Sequence, residues 1–61
     1  MSQTSKAMAN ELAQSDVDLG DEREVIRKLQ NASYSMADII VHSDAAIEGA
    51  RAIRYATEVA S

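Results

Sequence analysis

From Asp21 onward the chain has no proline and one glycine, and its apolar residues recur every three or four positions. Val25, Ile26, Leu29, Ala32, Met36, Ile39 and Ile40 carry this pattern first, and Ile47, Ala50, Ile53, Ala56 and Val59 continue it. That period puts one side of a helix against a core, and it is incompatible with the alternation of a half-buried strand. Read as heptads, Leu29, Met36, Ser43, Ala50 and Thr57 form one line, and Ala32, Ile39, Ala46, Ile53 and Ala60 form a second. The result is an a/d seam interrupted by small and polar residues. The fold class expected is all-α.

A single helix across this region would run ~40 residues, or ~60 Å, unusual for a compact domain. Ser43 or Asp44 can serve as the N-cap of a following helix, with Ile47 at its fourth position. No Pro or Gly enforces a break there. Two readings stand: a helix pair hinged near residues 42–44, which is preferred, or one long helix.

Residues 1–20 differ in character from the main amphipathic region, 21–61. Met8, Leu12 and Leu19 lie near helical spacing, and Ala7, Ala9 and Ala13 favour helix. A short helix from about Ser5 to Gln14 is expected only if Met8 and Leu12 find a surface, because so short a helix is not stable alone. Without that surface the segment is a weakly ordered tail. Gly20 breaks the chain, and Asp21 opens D-x-x-E with Glu24, the spacing of a capping box. Asp21, Glu22 and Glu24 also suit the positive end of the helix dipole. The competing reading of Asp16–Glu24 is an acidic docking patch.

Size limits what such helices can do alone. The chain has 61 residues and no Cys, Pro, Trp or Phe. A domain this small buries only roughly 60% of its unfolded surface and usually needs a disulfide, a metal or a partner chain. Disulfides are excluded by the lack of Cys, and a protein-only zinc site is disfavoured by the single His. The expected solution is a helical hairpin or bundle completed by oligomerisation.

A net charge of −4 argues against nucleic acid as a partner. Arg23, Arg27 and Lys28 are interspersed with Glu22 and Glu24, a mixed solvated face. No apolar run approaches the ~18 residues of a membrane span, and M-S-Q-T-S-K lacks the apolar stretch of a secretory leader. A complete cytoplasmic chain is the expectation.

His42 is the one candidate chemical centre. Asp38 lies one turn before it, and Asp44 and Glu48 form a second i,i+4 pair nearby. One His is thin support for a transition-metal site, and so short a chain has little material for a pocket of ~300 Å3. No Gly-rich phosphate loop or nucleophile motif is present. No catalytic, cofactor-binding or metal-ligating residue is assigned, and no cofactor or small-molecule substrate is expected. His42 is expected to mark a helix junction or an exposed turn.

Two further features point to association. Ala45, Gly49, Ala52, Ala56 and Ala60 form a smooth strip that another helix can approach closely. In N-A-S-Y-S, Asn31, Ser33 and Ser35 are mediocre helix formers beside the seam, where polar residues can fix register. The expected oligomer or partner interface comprises Ile26, Leu29, Met36, Ile39, Ile40, Ile47, Ala50 and Ile53. Tyr34, Arg54 and Tyr55 are the expected exposed anchors. The functional expectation is a small acidic protein–protein interaction module, homodimeric, acting on a further protein as regulator, inhibitor or adaptor. The alternative is a structural or secretion-chaperone-like packing subunit of a larger assembly, with nucleic-acid binding third.

Overall fold

A computed structural model describes residues 2–60, the side chain of Ala60 excepted. Those residues form three helices: α1 (Gln3–Gln14), α2 (Glu22–Asn31) and α3 (Met36–Ala60). The protein is all-helical. α1 and α3 share the most extensive interface, and α2 closes its edge.

α1 starts at Ser2, whose Oγ accepts from the Ser5 backbone N at 3.1 Å. This N-cap satisfies one of the four orphan donors of the first turn. The helix begins two residues before the Ser5 suggested by sequence. Its Met8 and Leu12 do find a surface, since both are completely buried. After Ser15 the chain crosses to α2 through a turn in which Asp21 N donates to Asp18 O at 3.0 Å. Gly20 N donates to Asp18 Oδ1 at 2.9 Å, and a Cβ on Gly20 would meet that oxygen at 3.3 Å. Glycine suits the position because the Asp18 side chain folds over it.

Asp21 is the N-cap of α2, its Oδ1 accepting from Arg23 N at 3.0 Å and Glu24 N at 3.5 Å. Glu24 does not complete the reciprocal half of the box. Its Oε2 accepts from Asp18 N at 3.1 Å instead, so the acids organise the incoming turn as well as the helix.

The chain breaks at residues 32–35, and the hinge expected at 42–44 does not exist. The uninterrupted 21–59 helix is overturned by the same finding. α2 ends in a Schellman motif: Tyr34 N donates to Leu29 O at 3.2 Å and Ser33 N to Gln30 O at 3.0 Å. Ser33 takes the left-handed conformation, φ 74°, that glycine usually supplies. Ser35 then caps α3, its Oγ accepting from Asp38 N at 3.2 Å and its carbonyl from Ile39 N at 3.0 Å. The weak helix formers of N-A-S-Y-S are thus a stop followed by a start. Ser43 is half-buried inside a continuous helix, on the line between Ile39 and Ala50 that faces the bundle. A break there would turn Ala46 and Ala50 away from Ile39.

Two cross-links set the direction of packing. Ser5 Oγ lies 2.9 Å from His42 Nδ1, and Arg54 reaches Leu12 O at 3.0 Å. Early α1 meets early α3 and late α1 meets late α3, so the two helices run parallel, and α2, which joins them in the chain, packs along the edge of their interface. The core comprises Met8, Ala9, Leu12, Leu19, Val25, Leu29, Ile39, Ala46 and Ala50. Ala9, Ala46 and Ala50 keep α1 and α3 close; the larger aliphatics fill the space towards α2.

α3 outruns its neighbours. Thr57 continues the inward line of Ser43 and Ala50, yet it is exposed, as are Tyr55, Ala56, Glu58 and Val59. Having no helix to face, Thr57 Oγ1 donates to Ile53 O of its own helix at 3.0 Å. The last two turns of α3 project beyond the bundle.

Candidate interaction surface

The heptad seam read from the sequence is covered in part inside one chain. Leu29, Ile39 and Ala50 are buried in the core, and Ile26 and Ile47 pack half-buried against it. These five of the eight expected interface residues are engaged by α1 and α2 of their own chain. Met36, Ile40 and Ile53 remain exposed. Of the three expected anchors, Tyr34 is half-buried against the core, Arg54 is turned to another task, and only Tyr55 is exposed.

Arg54 serves the end of α1. Its Nη2 donates to Leu12 O at 3.0 Å, Ser15 O at 2.6 Å and Val17 O at 2.9 Å. α1 has no basic residue in its last turn, so the negative end of its dipole and its orphan carbonyls lack a local cation. Arg54 supplies one from α3. Nothing in the sequence marks which helix end a guanidinium will reach.

His42 lies in mid-helix and half-buried, neither at a junction nor on an exposed turn. It ties α3 to α1 through Ser5. Ser2 Oγ donates to Ser5 Oγ at 3.0 Å, so the Ser5 hydroxyl joins the start of α1 to the His42 ring. A serine beside a histidine can serve nucleophilic chemistry. Here the Ser5 residue is only 3% exposed, closed to any substrate, and the pair acts as a tie. Among the described residues no group of three or more His, Asp or Glu side chains is placed to hold a metal ion. No helix among them is long and apolar enough to cross a membrane.

Two open grooves flank the bundle. One, about 310 Å3, is lined by Ser15, Asp16, Val17, Glu24, Arg27, Lys28 and Asn31. The other, about 410 Å3, runs between the Gly20 turn and the Asp44–Arg51 stretch of α3. Both mix carboxylates with cations and neither presents a convergent set of polar groups.

The outer face of α3 is different. Val41, Ala52, Tyr55, Ala56 and Val59 lie on one helical side and are all exposed, with Val41 72%, Tyr55 69% and Val59 68% accessible. Ala45 and Gly49, half-buried, border this side. Ile40, 72% accessible, borders its other flank. Single exposed apolar residues are ordinary, but several clustered on one side of a helix, as at Ala52, Tyr55, Ala56 and Val59, mark a candidate contact surface. Of the smooth strip expected from the sequence, Ala52 and Ala56 are exposed and Ala45 and Gly49 half-buried, with the side chain of Ala60 outside the described residues. No protein-family model matches the sequence, and comparison with curated proteins and with solved structures gives no match.

Proposed function

We propose that the protein is a small acidic interaction module, working by helix-to-helix docking and carrying out no chemistry of its own. Its contact surface is the outer face of α3 and the projecting last two turns. A second copy is its first partner, and the resulting homodimer acts on a further protein as a regulator, inhibitor or adaptor. The observation that carries this reading is the exposed apolar cluster of Ala52, Tyr55, Ala56 and Val59 on the projecting end of α3, with Val41 exposed on the same side three turns earlier.

Light scattering coupled to size exclusion, run over a range of concentrations, tests it. The expected mass rises from one chain to a plateau at two. Val41→Asp with Val59→Asp should hold the chain at one, with unchanged helix content by circular dichroism. A wild-type chain that stays monomeric into the millimolar range would refute self-association. The second reading, a packing subunit of a larger array, draws on the same exposed strip, and its mark is a mass that climbs without a plateau.

A further inference from the structure

We infer that two copies pair through antiparallel α3 helices, with the two-fold axis crossing between Ile47 and Glu48. The inference rests on the self-association proposed above and adds its geometry. Three observations carry it.

The first is charge. Asp44 and Arg51 are exposed, seven residues apart and so on the same flank of α3. In an antiparallel pair about that midpoint, each Asp44 lies opposite the other chain's Arg51, giving two symmetric ion pairs. In a parallel pair the two copies of this flank fall on opposite edges of the seam, and neither ion pair forms. The ion pairs favour the antiparallel arrangement.

The second is the distribution of apolar residues. The same register brings Tyr55 of one chain opposite Ile40 and Val41 of the other, and Val59 opposite the first turn of α3. The projecting end that finds no cover in its own chain is covered by the start of the partner's helix. Both ends are exposed in the single chain, and one symmetry operation covers both.

The third is size. α3 has 25 residues, a length of about 37 Å. A strip that long and one helix wide, ~10 Å, gives ~700–800 Å2 for the two chains together. That falls below the ~1,200 Å2 of standard complexes, so the dimer is weak and forms with rising concentration. Glu48, near the axis, lowers its affinity further by bringing two carboxylates together.

The native chain has no Cys, which makes single-cysteine cross-linking clean. Glu48→Cys should form a disulfide-linked homodimer on mild oxidation, whereas Val59→Cys alone should not. A mixture of Ala37→Cys and Val59→Cys chains should cross-link to each other. Asp44→Arg and Arg51→Asp should each weaken dimerisation about tenfold, and the double variant should return to within about threefold of wild type. All five positions are exposed, and circular dichroism checks that each variant folds. Efficient self-linking of Val59→Cys, or a dimer indifferent to the charge exchange, would overturn the antiparallel geometry and leave the interaction module standing. A chain monomeric throughout would overturn both.

Discussion

Arg54 Nη2 lies 3.0 Å from the carbonyl oxygen of Leu12, forty-two residues earlier in the chain. The same nitrogen holds Ser15 O and Val17 O, so one side chain closes α1 and pins the linker that follows. Replacing it should take the guanidinium from Ser15 O and Val17 O and leave Leu12 O with its bonds from Ser15 N and Oγ alone. Arg54→Met, which keeps an apolar stem for packing, should cost about 1–2 kcal/mol. In a domain this small that is roughly a 4–16 °C fall in Tm, read by thermal denaturation. Arg54→Lys should lose less, because an ammonium has three donors on a stem about one bond shorter.

Ser33 sits at φ 74°, where a Cβ costs roughly 1–2 kcal/mol. Ser33→Gly should relieve it. Part of the gain is offset by the greater freedom of glycine in the unfolded chain, leaving a net stabilisation of about 0.5–1 kcal/mol. Urea denaturation with an unchanged m-value checks this. A loss of stability would mean that the serine side chain contributes something its hydrogen bonds do not reveal.

Ser5 and His42 form one contact between α1 and α3, and their substitutions should not add. Ser5→Ala and His42→Ala should each cost about 1 kcal/mol. The double variant should cost less than the sum by about 0.5–1 kcal/mol, the signature of direct coupling in a double-mutant cycle. Strict additivity would show that the hydrogen bond contributes nothing net.

Glu48 is exposed near the midpoint of α3. Glu48→Gln removes the charge with little change of shape, and it should tighten self-association several-fold while leaving the Tm of the single chain almost unchanged. Sedimentation equilibrium measures this directly. A weaker dimer would place the axis elsewhere along the helix.

How much of this was legible in the sequence depends on the distance over which each feature is decided. Asp21 as a cap is local, and the D-x-x-E pattern reveals it. The Ile39–Ala46–Ala50 face is periodic, and the heptad reading finds it while leaving open which helix will cover it. The position of the break was misread because Ser35 and Ser43 offer nearly the same signal: a serine followed by an acidic residue, at the third helical position for Ser35 and the first for Ser43. What separates them is Ser33, a non-glycine residue at a position that usually takes glycine, so its left-handed turn left no mark. The candidate surface was half legible. The periodicity marks the small-residue strip, but three of the eight expected interface residues lie in the core and two more pack half-buried against it. A single sequence does not say whether an apolar face meets its own chain or another. Arg54 was legible only as a charge, since its acceptors lie 37 to 42 residues away.

The parallel docking of α1 on α3 also has a consequence for how the chain is made. Met8 and Leu12 share one core with Ile39, Ala46 and Ala50, and Arg54 holds the end of α1, so α1 finds its full partner surface only when the chain through Arg54 has been made. A polypeptide stopped short of Arg54 would emerge with its two largest N-terminal core side chains in water, recognisable to quality control as unfinished.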